Sequence, residues 1–150
     1  MLHQEVGASL YRLRAMLGKI EVGKLTALMQ QESVVLLSDV VVENDVVTLR
    51  IPFRRLFTKR WPRIGMTSFR GHGIGTSMVE HFLDWCRTNG KNEAYGTVVQ
   101  KDLDETPGLL DWYQRHGFEI RTPDDRCLGN AVCMVVWKNE NPYPSGGGEL

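Results

Sequence analysis

The sequence predicts an α+β domain built around a mixed β-sheet. Three observations carry that reading. Short stretches alternate apolar and polar residues at period two, three longer stretches repeat at helical spacing, and a β–α–β unit can be traced across residues 63–99. A length of 150 residues suits one domain, and an apolar share of 42% is enough for an ordinary core. A charged share of 24% argues against global disorder.

The elements follow in order. Tyr11-Arg12-Leu13-Arg14-Ala15 alternates apolar and polar residues, the pattern of a half-buried strand. Val22, Leu25, Leu28 and Met29 recur at helical spacing and predict a helix over about 20–31. Ser33–Val42 is rich in Val and Leu, Glu43-Asn44-Asp45 is a polar turn, and Val46–Ile51 is β-branched again. Together they predict an antiparallel hairpin whose second strand ends at Pro52. Phe53–Phe69 is basic and aromatic, with Pro62 and Gly65, and predicts a loop with a short strand near Arg63–Thr67.

Ser77–Arg87 puts Met78, Phe82 and Cys86 on one face with Val79 and Leu83 beside them, an amphipathic helix that Asn89-Gly90 ends. Ala94–Val99 reads as a strand. Thr106-Pro107 suits the N-cap and first turn of a helix running to about His116 and stopped by Gly117. Phe118–Arg121 and Ala131–Lys138 read as two strands joined by a turn-forming segment around Thr122–Asn130. Residues 1–138 are expected to form a single domain. Residues 139–150, with Pro142, Pro144 and three glycines, are expected to form a flexible tail. No internal repeat is found.

Several classes are argued against. No apolar run approaches the roughly 18 residues that a membrane helix needs, and Met1–Gly7 lacks the apolar centre of a secretory signal. Cys86, Cys127 and Cys133 are odd in number, widely spaced and without a C-x-x-C pair. Neither a disulfide framework nor a zinc site is expected, and reduced thiols point to the cytoplasm. His3, His72, His81 and His116 share no metal-ligand spacing, so no metal is expected.

The formal net charge is zero, with eighteen bases against eighteen acids, but the charges are segregated. Residues 1–45 are net −2 and residues 80–150 net −5, whereas residues 46–79 carry seven bases and no acid, net +7. That band leads into Arg70-Gly71-His72-Gly73-Ile74-Gly75-Thr76, just before the helix of Ser77–Arg87. Glycines ahead of a helix let backbone N–H groups converge on an anion, and the helix start adds roughly half a positive charge. Glycine content alone leaves open whether the loop holds an anion or only turns a strand into a helix. It has no Lys for a Walker loop, and its third glycine comes one residue early for a dinucleotide fingerprint.

The spacing Arg70-x-x-Gly73-x-Gly75 resembles the pyrophosphate-binding signature of the GCN5-related N-acetyltransferases, the GNAT superfamily. Trp112-Tyr113-Gln114-Arg115-His116-Gly117-Phe118 resembles the same family's Y-x-x-x-G-F segment. The two lie about forty residues apart with one predicted strand between them, in the family's order, and the matched region covers about residues 63–138. The resemblance implies a GNAT-like domain with a central twisted sheet of about six to seven strands flanked by helices. It implies acetyl-coenzyme A as the cofactor, with its pyrophosphate held by Phe69, Arg70, Gly71, His72, Gly73, Ile74, Gly75 and Thr76, and its acyl arm between two splayed strands. The implied reaction is direct attack of a primary amine on the thioester, with Tyr113 as the catalytic acid. A core aromatic at a helix end is the structural alternative for Tyr113.

Two positions depart from the family pattern. Glu105 stands where the family often has Asn, eight residues before the Tyr. No acid lies between Val46 and Val79, so no carboxylate is expected on the strand entering the loop. The amine must arrive neutral or lose its proton to a group elsewhere, such as Glu43 or His72. His72 itself reads as an exposed loop residue, and Trp85 and Trp112 as packing residues.

Arg50, Arg54, Arg55, Lys59, Arg60 and Arg63 are interleaved with Phe53, Phe57, Trp61 and Phe69. This band 50–70 suits cofactor phosphates, acids of the C-terminal half, or a polyanionic partner. Three functions therefore stand. The first is an N-acyltransferase acting on a small-molecule or peptide amine. The second is a non-catalytic GNAT-fold binding or regulatory module. The third is a GNAT enzyme acting on nucleic acid or aminoacyl-tRNA. A homodimer is compatible with each.

Overall fold

The computed structural model of the chain describes residues 1–42, 73–127 and 129–141. The strands expected at Val46–Ile51 and Arg63–Thr67, the basic band, the loop residues Phe69 to His72 and the tail from residue 142 lie outside the described residues.

Seven strands and three helices are described. They are β1 (Leu2–Val6), β2 (Leu10–Leu17), β3 (Ile20–Gln31), β4 (Val34–Val42), α1 (Ile74–Thr88), β5 (Glu93–Val99), α2 (Gln100–Glu105), α3 (Leu109–Arg115), β6 (Glu119–Arg121) and β7 (Ala131–Lys138). The strands form one sheet in the order β1-β2-β3-β4-β5-β7-β6. β1 to β4 make an antiparallel meander, β4 and β5 run parallel, and β5, β7 and β6 are antiparallel again. This is the mixed α+β sheet that the sequence predicts.

β2 follows its alternation: Tyr11, Leu13 and Ala15 are buried under α1 while Arg12 and Arg14 face the other way. β3 overturns the helix expected over 20–31. Its pairing with β2 shifts register between Ala15 and Met16, where Gly23 and Glu21 are the respective partners. Val22 is therefore an extra, bulged residue, buried next to buried Gly23. Beyond the bulge the inward positions are Gly23, Leu25 and Ala27, a strict period of two carried mostly by small residues. Leu28, counted toward a helical face, is exposed. The Val22–Leu25 spacing of three is thus a bulge artefact, and pairing on both edges overrides the apparent helical period.

The antiparallel partner of β4 is β3, through the turn at Glu32 and Ser33. The helix expected from Thr106 begins three residues later. Thr106 caps the C-terminus of α2, an element that the sequence reading did not separate, and Gly108 at φ 82° is the N-cap of α3. That left-handed backbone suits glycine and would strain Thr or Pro. β1 was also not anticipated; four of its five residues are exposed, so it lacks a buried stripe.

The core lies between α1 and the sheet. The Tyr11 ring is 5.3 Å from Phe82 and 4.7 Å from Trp85, with Met78, Val79, Leu83 and Cys86 fully or nearly buried beside them. Each such side chain contributes about 1.5–3 kcal/mol by leaving water. β7 is buried on both faces from Cys133 to Trp137. Its outer side packs with Tyr95, over which the Arg126 guanidinium lies at 4.3 Å.

α1 crosses β3 at Gly23. A Cβ there would sit 3.0 Å from Met78 Cε, 3.1 Å from Ile74 Cγ2 and 3.2 Å from the Val41 carbonyl oxygen. Gly23→Val is expected to lift α1 from the sheet and to destabilise the fold by about 1–3 kcal/mol. A urea midpoint equal to that of the unaltered chain would contradict this packing.

Candidate functional site

β4 and β5 pair only over Val34–Leu36 with Glu93–Tyr95. Beyond that they part. The β3–β4 register explains the divergence: Ala27 pairs with Leu37 and Thr26 with Asp39, so Ser38 is an extra residue in β4. A bulge of this kind bends its strand and re-aims the side chains beside it. The gap becomes a cavity of about 230 Å³, with Leu37–Val41 on one wall and Gly96–Val98 on the other. Gly96 helps keep it open, since a Cβ there would lie 3.3 Å from the Leu37 carbonyl oxygen.

A second cavity of about 450 Å³ continues the cleft toward the start of α1 and shares Val40, Thr106, Leu109 and Tyr113 with the first. Gly73, Gly75 and Thr76 line it. Gly73 caps α1 at φ 79°, no side chain caps the helix, and its first turn carries no acid. The first helical hydrogen bond runs from the Ser77 N–H to the Gly73 carbonyl at 2.8 Å. The N–H groups of Ile74, Gly75 and Thr76 have no partner among the described residues, the condition under which a helix start attracts an anion. The Ile74 side chain turns into the core and does not line the cavity. Arg115, which the sequence reading passed over, lines the same cavity and makes no ion pair among the described residues.

The far wall is set by aromatic contacts. Trp112 donates its indole N–H to Thr76 Oγ1 at 3.2 Å, which ties α3 to the start of α1. Trp112 and Phe118 hold the Tyr113 ring edge-on at 5.0 and 5.2 Å. Tyr113 is half-buried on the wall common to both cavities. Burial pushes its phenol up to about 12, and the negative charges of Asp102 and Asp39 act in the same direction.

Asp39 supplies a carboxylate where none was expected; the acid-free strand expected near Arg63–Thr67 lies outside the described residues. The described strand beside β5 is β4, and Asp39 stands on its bulge, lining the cavity that Tyr113 lines. Its carboxylate makes no hydrogen bond or ion pair with another described residue. The other acids of that cavity are engaged: Asp102 accepts from the Val99 N–H at 3.0 Å, and Glu105 lies 3.6 Å from Lys101. The signal was present in Ser38-Asp39, two polar residues interrupting an apolar strand. Of the residues expected at the site, Gly73, Gly75, Thr76 and Tyr113 come together; Phe69 to His72 lie outside the described residues.

Among the described residues, no group of three His, Cys, Asp or Glu could hold a metal, and no helix is long and apolar enough to cross a membrane.

Residues 66–118 match the family model described as Acetyltransferase (GNAT) family, a span that contains both motifs. Half of the chain is 33% identical, over 78 residues, to a probable serine/threonine-protein kinase of Dictyostelium discoideum, and the match spans 10% of that protein. Among solved structures, the PaiA N-acetyltransferase of Thermoplasma acidophilum, in complex with coenzyme A, superposes with a TM-score of 0.60 at 11% identity. That match covers 87% of this chain and 62% of that one. A GNAT family acetyltransferase of Elizabethkingia anophelis, with acetyl-CoA bound, gives 0.58 at 11% identity, covering 93% and 97%. At such identities these structures establish the fold: it is GNAT-like.

Thr76→Val would remove the acceptor of the Trp112 N–H and leave a half-buried donor unpaired. A loss of about 1 kcal/mol is expected in chemical denaturation, with a change in Trp emission; an unchanged stability would detach this bond from the site's architecture.

Proposed function

We propose that this GNAT-fold chain is an acyl-coenzyme A-dependent N-acyltransferase that transfers acetyl from acetyl-coenzyme A to a primary amine. The observation that carries the reading is the continuous cleft from the start of α1 to the β4–β5 gap, with Tyr113 on the wall shared by its two halves. The residues fit the cofactor. Three unpartnered N–H groups, an acid-free first helical turn and Arg115 suit a pyrophosphate at one end. At the other end, the edge of β4 beyond Leu36 no longer pairs with β5 and can hydrogen-bond the amides of an extended acyl arm. Arg70, by its place in the motif, would add a charge to the phosphate end.

Acetyl-coenzyme A supplies an acyl group already activated as a thioester. The chain's residues manage position and protons. Asp39 takes the proton that the acceptor nitrogen must lose before its lone pair can form the new C–N bond. Tyr113 gives its proton to the sulfur as the C–S bond breaks. In becoming an amide the acceptor ammonium loses two protons: one goes to Asp39 before attack and on to solvent, and the second leaves the new C–N adduct for the Tyr113 phenolate, whose own proton has gone to the thiol, so one proton is released overall and no further reactant is needed. Burial keeps Tyr113 protonated through the physiological range, as its role requires.

Thermal melting tests the reading first. Acetyl-coenzyme A at about a thousand times its dissociation constant adds about 4 kcal/mol of stability, which raises the midpoint by several degrees; no shift would sink the proposal. With binding in hand, Tyr113→Phe should lower kcat by about tenfold or more at unchanged cofactor affinity. Because the phenol's ionisation is raised, its protonated form is fully present at neutral pH and is lost only as pH climbs toward about 12. An alkaline limb below about pH 10 would therefore belong to another group. Asp39→Asn should cost about tenfold or more at pH 7, with the deficit shrinking as pH nears the amine's own pKa of about 10. A deficit independent of pH would remove Asp39 from proton transfer.

A further inference from the structure

The geometry points to the face of β2–β4 opposite α1, which no described helix covers, as the acceptor site, selecting a small primary amine that also carries an anionic group, a carboxylate or a phosphate. The inference rests on the acyltransferase reading and names the substrate class of that site.

On the face of the sheet opposite α1 lies a shallow cavity of about 420 Å³. Its residues stand in cross-strand rows. Arg12 pairs with Thr26 and Thr26 with Asp39; in the next row Arg14 pairs with Lys24. Ser38 and Asp39 line both this cavity and the β4–β5 cleft, so the bulge of β4 is a wall common to the two. A molecule seated here can present its nitrogen at Asp39, where the thioester would lie across the strand.

The cations set the other end. Arg12 and Arg14 share a single carboxylate, Glu5, at 3.4 and 2.7 Å. Lys24 makes no ion pair among the described residues. Arg14 Nε is buried, so the Arg14 guanidinium can meet a ligand only through its terminal nitrogens. The cavity thus has two guanidiniums sharing one carboxylate over β2, an ammonium without an ion pair over β3, and on β4 a carboxylate without a partner among the described residues. Glu21 closes the end away from Asp39. A zwitterionic amine matches this polarity, its ammonium toward Asp39 and its oxyanion toward Arg14 and Lys24. An amine with a second positive end would set that end against Arg12, Arg14 and Lys24, which outnumber the carboxylates Glu5 and Glu21 there, so the same residues disfavour it. Two inter-strand spacings, about 10 Å in all, separate the strands of Arg12 and Asp39, which suits a small molecule.

The test measures thiol release from acetyl-coenzyme A with four amines: 4-aminobutyrate, phosphoethanolamine, butylamine and putrescine. At least tenfold higher kcat/KM is expected for one or both anionic amines over butylamine and putrescine. The ratio between the first two tells carboxylate from phosphate. Lys24→Gln and Arg14→Lys should each raise KM for the preferred anionic amine about tenfold or more. The acetyl-coenzyme A melting shift should persist in both, which also shows that they fold. Calorimetric titration of that amine into the coenzyme A-saturated protein should give binding that Lys24→Gln weakens by a similar factor. Butylamine or putrescine turned over as fast as the anionic amines, with the melting shift intact, overturns this inference alone. Loss of the melting shift in the unaltered chain overturns the acyltransferase reading and this inference with it.

Discussion

The parting of β4 from β5 is the constraint on which the rest depends. A parallel pair that continued past Leu36 would close the sheet and leave no cleft. The single extra residue at Ser38 prevents this by bending β4 while keeping it paired with β3. The backbone groups that lose their β5 partners are tolerable only because they face a cavity open to water or ligand. Each of the two strands keeps a partner on its other edge, β7 for β5 and β3 for β4. The gap is a feature of register between two well-supported strands.

The helix start and the gap are coupled by packing. Gly23 lets α1 lie close on β3, and Gly75 sits where a Cβ would be 3.6 Å from Val42 and 3.5 Å from Trp112. The end of β4, the first turn of α1 and the body of α3 therefore meet at one point. The Trp112–Thr76 hydrogen bond then fixes Tyr113 at the next position of α3, on the wall of the gap. Val42 and Gly73, which flank residues 43–72 in the sequence, both line the cleft. Those intervening residues carry all seven cations of the basic band.

Much of this was legible wherever local pattern and tertiary role agree. The alternation in Tyr11–Ala15, the apolar face of Ser77–Arg87 and the glycine spacing before it are read directly, because burial there follows the period of the element. β3 was not legible, because a bulge at Val22 mimics a helical step and the true inward stripe is carried by Gly23 and Ala27. Asp39 was missed for a related reason. The chain order suggested a strand near Arg63–Thr67 ahead of the loop, whereas β4 stands beside β5, thirty residues upstream of the helix. Sequence adjacency is a poor guide where a long segment separates two elements that pack together. The cavity on the sheet face opposite α1 lay beyond reach altogether, since it arises from cross-strand rows that only register defines.

Tyr113 shows how the cleft and the chemistry depend on one another. A phenol raised to about 12 is a weak acid toward a thiolate of ordinary basicity, about 8.5. Proton transfer across that difference would be uphill. The desolvation that lifts the phenol, however, acts on any anion in the same cavity and in the same sense, so a thiolate forming there is also made more basic. The two stay matched only while water is kept out. Val40, Leu109 and Trp112 wall the cavity beside Tyr113, and on the acyltransferase reading they would help a bound acyl arm to exclude water there. On the acyltransferase reading the acid would become competent once a bound acyl arm has displaced water from the gap, and the gap exists because β4 carries one extra residue at Ser38.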